Sequence, residues 1–325
     1  MKNIEQKRVL INQIDFDDRS YIFTFESPIS NLINSINEIG IINPPILEQK
    51  SKDVFRIVSG SKRILALKHL KIDQLDALIY YSKKSQPALS LFLINLHDNL
   101  GTRVLNSIEK ATVLHKLIRL FQFSEKDVMA EYFPLLELGA NRSVLERYLK
   151  LMQLEQELKI AVANDFLSVE IAIALLEQSN IERQAIFKLF QLLKLGKNRQ
   201  KEFFKLLTEI SAIDDRSVDL VLSNNEIEGI LKNDKITPPR KTEYIKAILK
   251  KMRYPLFTNI DEQFQNIKKE LKLPPKIVFR PPLFFEAENY SVEFSFKNQP
   301  EFNKLVEILK SIADQNKLVK LDSLV

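Results

Sequence analysis

The chain has 325 residues, room for two or three domains, and its 45% hydrophobic and 28% charged content is that of a globular protein. It contains no cysteine, which excludes disulfides, thiolate metal sites and cysteine nucleophiles. The net charge of +6 is unevenly placed: seven cations between Ile181 and Leu206 face only Glu182 and Glu202, and eight between Lys232 and Tyr254 face only Asp234 and Glu243.

Such local surpluses suit a polyanionic partner, with the phosphate backbone of DNA as the candidate. His69, His97 and His115 lie far apart and have no metal-ligand spacing. No run approaches the ~20 apolar residues of a membrane span. The start, "MKNIEQKRVL", carries charges where a signal peptide needs an apolar core. A cytoplasmic protein without a membrane role is expected.

In chain order, "YIFTF", Tyr21 to Phe25, reads as a strand. Ile29, Leu32, Ile33, Ile36 and Ile39 then share one helix face, with Ser30 as a candidate cap and Gly40 at the end. "INPPILEQ" is held extended by its prolines. "VFRIVS" reads as a strand, Ser61 to Leu70 as a short helix and "DALIYY" as a further strand, so residues 1–86 form a small α/β domain.

From Pro87 the pattern turns helical. "SIEKATVLHKLIRLFQF" places Ile108, Ala111, Leu114, Ile118 and Phe121 on one side, and Asn106 with Glu109 has the form of a capping box. "SEKDVMAEYFPLLELGANRSVLERYLKLMQL" gives a helix, a long connection and a second helix starting near Ser143. That is the outline of a helix-turn-helix within residues 87–180. A basic helical segment fills 181–253, with a hinge at 232–241. Residues 254–325 form a last α+β unit: "KIVFRPPLFFEAENYSVEFSF" alternates like a hairpin with Val292, Phe294 and Phe296 on one face. "PEFNKLVEILKSI" follows as an amphipathic helix. The fold class expected is α+β, multi-domain and predominantly helical.

One stretch carries chemistry. At Gly60-Ser61-Lys62-Arg63 a glycine sits at a strand-to-helix turn, where the backbone can approach a ligand closely. The helix start offers free amides and positive charge to an anion, and Lys62 and Arg63 add two cations. The order "GIINPP", "FRIVSGSKRILALKHL", "HDNLGTRVLNSIEKA" and helix-turn-helix resembles the ParB family of chromosome-partitioning proteins over about residues 20–180. Gly40 and Pro44 match its Gly-x-x-x-Pro element. Gly60, Arg63 and Ala66 match its Gly-Glu-Arg-Arg-x-x-Ala element, and Leu105, Asn106, Glu109 and Ala111 match its Leu-Asn-Pro-x-Glu-x-Ala element.

The resemblance implies a ParB/sulfiredoxin-like nucleotide-binding domain. Gly60, Ser61, Lys62 and Arg63 would hold the triphosphate of CTP, with Asp98, Asn99 and Arg103 beside it and Mg2+ on Asp98. There are departures. Ser61 replaces the family glutamate, Leu65 replaces an arginine, and Thr102 stands where an arginine is expected, with Arg103 one place late. Losing a carboxylate and arginines weakens phosphate orientation, which hydrolysis needs more than binding does. At most a slow CTPase is expected, and sulfiredoxin chemistry is excluded by the missing thiol.

The resemblance also places Asn141, Arg142, Ser143 and Arg147 on duplex DNA, and implies a homodimer closed by the C-terminal unit. A Walker-type partition ATPase could meet Lys2, Lys7 and Arg8. The implied role is plasmid or chromosome partitioning or mobile-element maintenance, by a nucleoid- or plasmid-associated protein. A transcriptional regulator without nucleotide turnover and a small-molecule phosphotransferase are the alternatives.

Overall fold

The computed structural model describes residues 4–25, 28–81, 87–282, 285 and 289–323. Lys2 and half of the connection inside the expected C-terminal hairpin lie outside the described residues. The chain divides into two compact units, Met1–Ser179 and Asn180–Val325. No helix among the described residues is long and apolar enough to cross a membrane.

The first unit opens with β1 (Ile4–Leu10) and β2 (Ile14–Asp15), then α1 (Ser30–Ile39), β3 (Ile46–Ser51), β4 (Val54–Ser59), α2 (Ser61–His69) and β5 (Gln74–Tyr81). The sheet order is β1-β5-β3-β4-β2. β1 and β5 are antiparallel, as are β3 and β4, whereas β3–β5 and β2–β4 are parallel. Leu47, Ile57, Ile64, Ala66 and Ile79 form the centre of its core, with α1 contributing Ile36. Gly40, at φ 75°, ends α1 in a conformation that favours glycine.

Helices α3 (Leu89–Leu100), α4 (Ser107–Arg119), α5 (Glu125–Glu131), α6 (Arg142–Leu151), α7 (Gln156–Ala163) and α8 (Val169–Leu176) complete the unit. A second core joins Tyr21, Phe23 and Val58 to Phe92, Leu114, Phe133 and Leu145 of these helices. The capping box of Asn106 and Glu109 starts α4.

Tyr21–Phe25 is not a strand. Tyr21 and Phe23 are buried as an alternating pattern requires, but the backbone is satisfied by side chains instead of a ladder. Asn95 Nδ2 donates to the Tyr21 carbonyl (2.8 Å), and the Phe25 amide donates to Glu109 Oε1 (3.2 Å). The connection between α5 and α6, although long, is packed: Phe133 and Leu136 are fully buried, and Glu137 takes a left-handed φ of 54°.

The second unit contains α9 (Asn180–Leu193), α10 (Lys197–Asp214), α11 (Val218–Leu222), α12 (Asn225–Lys232), α13 (Pro238–Arg253) and α14 (Pro255–Glu270). β6 (Ile277–Arg280), β7 (Ser291–Phe294) and α15 (Gln299–Asp314) follow. β6 and β7 pair antiparallel, with Ile277 opposite Phe294 and Arg280 opposite Ser291. Phe296 falls beyond β7 and meets Phe302 of α15 at a ring-centroid distance of 4.8 Å. A small core gathers Phe264, Phe279, Phe285 and Ile312. The stretch read as a hinge is a tied corner: the first turn of α13, after Thr237, holds two prolines, and Lys241 Nζ donates to the Leu231 carbonyl (2.6 Å).

Candidate nucleotide and nucleic-acid sites

A cleft of about 610 Å3 opens where β4 turns into α2 and faces the end of α3. All seven residues singled out for the triphosphate line it: Gly60, Ser61, Lys62, Arg63, Asp98, Asn99 and Arg103. Gly60 is left-handed, with φ 87° and ψ 21°. A Cβ there would lie 2.8 Å from the Pro45 Cβ and 3.1 Å from the Arg63 guanidinium. The turn therefore needs glycine both for its backbone and for the close approach of the "INPP" segment. Gly60 caps α2 without a side chain, so the amides of the first turn face the cleft mouth without a side-chain acceptor.

Arg63 does not pair with Asp98. Its Nη1 donates to the carbonyls of Asn43 and Pro44, which ties α2 to the segment before β3. Asp98 instead accepts from Ser59 Oγ through Oδ2 (2.7 Å). Burial pulls the Arg63 guanidinium below its ordinary pKa, with the Asp98 charge opposing. Burial, followed by the charge of Arg103, also pulls the Lys62 ammonium down, with Glu109 opposing. Three partly buried cations thus share a cleft whose lining holds one carboxylate, Asp98, with Arg103 paired to Glu109 behind it. An anion entering there would relieve that repulsion.

Arg103 reaches the cleft despite its shifted place in the sequence. It follows α3, donates from Nε to Asn99 Oδ1 (2.9 Å) and from Nη1 to Glu109 Oε2 (2.6 Å). Its Nη2 is buried without a hydrogen-bond partner. Asn99 Nδ2 donates in turn to Asn95 Oδ1 (2.8 Å), and Asn95 holds the Tyr21 carbonyl. The chain Tyr21–Asn95–Asn99–Arg103–Glu109 runs from the cleft wall to the first turn of α4. Sequence reasoning missed Ser59 and Asn95. Asn95 left a signal: it is a single amide inside the apolar run "LSLFLINL", and it is 3% exposed.

Asp98 is the one carboxylate of the cleft lining, and among the described residues no cluster of three metal-ligating side chains exists. Mg2+ is commonly held by one or two carboxylates together with substrate phosphates. A single carboxylate positioned by Ser59 fits that mode of binding.

The helix-turn-helix presents a different kind of surface. Asn141 caps α6, its Oδ1 accepting from the Ser143 amide (2.9 Å). Leu145 and Leu151 anchor α6 in the core, while Asn141, Arg142, Ser143 and Arg147 are all exposed. Arg142 pairs with Glu146 (3.1 Å) and Glu125 (3.5 Å), and Arg147 Nε donates to the Ser143 carbonyl (3.2 Å). The outward face is cationic apart from Glu146, and its ion pairs are solvent-exposed.

Residues 2–95 match the ParB N-terminal domain and residues 103–201 match the ParB HTH domain. A nucleoid occlusion protein of Oceanobacillus iheyensis is 29% identical over 174 residues, which cover 53% of this chain and 57% of that protein. The chain spans between about half and two thirds of the length of the curated relatives it matches. Among solved structures, C-terminally truncated ParB of Caulobacter crescentus complexed with CTP-γ-S is 19% identical, with a TM-score of 0.25 over 54% of this chain and 94% of that one. The same protein complexed to the centromeric parS site is 14% identical, with a TM-score of 0.34 over 61% and 98%. With the two domain matches consecutive along the chain and together covering more than half of it, this protein belongs to the ParB family.

Proposed function

We propose that the chain is a nucleotide-responsive DNA-binding protein of the partition type, with the β4–α2 cleft holding a nucleoside triphosphate and α6 contacting duplex DNA. The observation that carries this reading is the cleft's charge imbalance. Lys62, Arg63 and Arg103 converge there, a buried Arg103 N–H lacks a partner, and one carboxylate is present. Phosphates satisfy that arrangement better than any neutral metabolite. Family membership makes CTP the candidate nucleotide. A magnesium ion held by Asp98 would neutralise phosphate charge. Ser59 would keep the Asp98 carboxylate in place, Arg63 would hold the "INPP" segment over the phosphates, and Arg103 would sense their arrival.

The lining has Ser61 where a second acid would stand, and no other carboxylate or imidazole is available in the cleft to orient a water. This favours binding over fast hydrolysis. The exposed apolar side chains of the last unit, including Val292 and Phe296, suit a homodimer. Pairing would present two α6 helices to one duplex. A Walker-type ATPase partner rests on the family alone.

Calorimetric titration with CTP, ATP, GTP and UTP, with magnesium and with or without mixed duplex DNA, tests the reading. Selective CTP binding that is lost in Lys62→Ala/Arg63→Ala is expected. A double variant retaining full nucleotide affinity would remove the proposed phosphate site.

A further inference from the structure

Two basic stretches of the sequence, distant along the chain, lie side by side in the second unit. Three ion pairs join α10 to α13: Arg199 to Glu243 (2.8 Å), Lys246 to Glu202 (2.7 Å) and Arg253 to Glu209 (2.7 Å). In each pair the two residue numbers differ by 44. A constant offset means that the helices run parallel and hold one register along the seam, because both rise by about 1.5 Å per residue. The remaining acid of these helices, Asp214, pairs with Arg216. Every carboxylate of α10 and α13 is thus engaged.

The cations are not exhausted. Lys205 and Lys251 are largely exposed and lie 3.8 Å from Glu209 and Glu262, at the outer limit of pairing. Arg240 and Lys250 are exposed and make no ion pair among the described residues. Thr242, Ile245 and Leu249 bury one side of α13. At 100° per residue, Arg240, Tyr244 and Lys251 fall on the opposite side, and Lys250 lies between that side and the seam. The result is one face about 16 Å long, with neutralised pairs along its middle and surplus cations on both flanks.

We propose that the α10–α13 face is a second docking surface, for the sugar-phosphate backbone of duplex DNA, independent of sequence and separate from α6. Charge complementarity selects this occupant. The guanidinium groups of Arg199 and Arg253 are pre-ordered by their glutamates and keep N–H donors for phosphate. A lipid surface is disfavoured because the apolar side of α13 is buried and leaves nothing to insert. The face also has few of the aromatic anchors that a protein interface uses, Tyr244 being half-exposed. The ParB HTH match ends at residue 201, so α13 lies beyond it.

The test uses the full chain and a fluorescein-labelled mixed-sequence duplex, with anisotropy read over a salt series. Lys205→Gln/Arg240→Gln/Lys250→Gln/Lys251→Gln removes flank cations and leaves the three ion pairs intact. Each lost phosphate contact lowers the slope of log K against log salt by about 0.9. A drop of about 2–4 in slope, with a ~10- to 100-fold loss of affinity at low salt, is expected. Arg142→Gln/Arg147→Gln should leave that component in place, which separates this surface from α6. Circular dichroism and melting check the fold. Should the quadruple variant melt early, the single Lys250→Gln must still lower the slope by about 1. An unchanged slope in a folded variant, or a parent chain that does not bind mixed duplex, overturns the proposal. So does binding of phosphatidylglycerol vesicles, lost in the same variant, in place of duplex binding.

Discussion

Two arginines of the first unit stand in opposite electrostatic situations. Arg56, on β4, is 4% exposed and closed in by acids: its Nε donates to Asp18 (2.6 Å) and its Nη1 to Glu48 (3.0 Å), with the Tyr21 ring 5.4 Å away. Lys50 reinforces Asp18 at 2.8 Å. Burial works against both charges, yet the hydrogen bonds win: the Arg56 pKa is raised and the Asp18 pKa falls well below the carboxylate range. The Tyr21 hydroxyl is pushed up to about 12 by burial and by Glu48. Arg103, at the end of α3, has one acid, one amide and one buried N–H with nothing to meet it, beside two further cations. A buried cation matched by more than one acid is scaffold, even though Glu48 Oε1 is left there without a hydrogen-bond partner. A network left short of negative charge is a binding site in waiting, and the two are linked through Tyr21 and Asn95.

The sharpest way to separate them is to remove each cation. Arg56→Met leaves the buried Glu48 with the Tyr21 hydroxyl alone, while Asp18 keeps Lys50, and should cost about 3–5 kcal/mol in urea unfolding. Arg103→Met leaves Glu109 with the amides of Asn106 and Phe25, so a smaller loss of about 1–2 kcal/mol is expected. Its distinctive effect should be on ligand. CTP at 100 times its Kd should stabilise the parent by about 2.7 kcal/mol and leave Arg103→Met unmoved. Equal stability losses, with nucleotide response retained in both, would break the comparison.

Gly60→Ala comes next. The strained φ and the Pro45 contact predict a loss of about 1–3 kcal/mol, together with weakened nucleotide binding because Pro45 must move. Lys116 offers a pH test of comparable size. Its ammonium donates to the carbonyls of Arg19 and Ser20, yet burial, helped by the charge of Arg19, lowers its pKa to about 8. The folded state therefore binds fewer protons than the unfolded state between pH 8 and the ordinary lysine value near 10.5. Stability should rise across that window by about 1–3 kcal/mol, and Lys116→Met should flatten the rise.

Much of this was legible in the sequence where periodicity or a special residue spoke. The α1 face, the α4 capping box and the Gly60 turn all leave local marks, and the cleft residues were picked out from their motifs. β1 left none: in "IEQKRVL" only Val9 is buried, because an edge strand needs no alternation. Tyr21–Phe25 failed for the converse reason, an alternating burial pattern whose hydrogen bonds go to Asn95 and Glu109. The Ser59–Asp98 bond spans 39 positions and the α10–α13 ladder spans 44, separations that no local rule reports. Arg103 was legible as a cation one place out of register. Only its rotation around the end of α3 decides that it still meets Asn99.

The smallest stability effect belongs to α6, where the comparison acquires a third case. Arg142 is neither closed in nor left short: it is 70% exposed and paired with Glu125 and Glu146 on the surface. Exposed pairs contribute about 0–1 kcal/mol, so Arg142→Gln should shift unfolding by less than about 0.5 kcal/mol. Its two glutamates are not buried and suffer little when it goes. A phosphate or base edge competes with them on equal terms, since both partners are solvated. Anisotropy with duplex DNA should therefore register what denaturation does not, a salt slope lower by about 1 for a phosphate contact. An affinity loss confined to one base position would instead assign Arg142 to base reading. A variant that loses stability but keeps its slope would place Arg142 with Arg56 as scaffold, its glutamates being the partners it was built for.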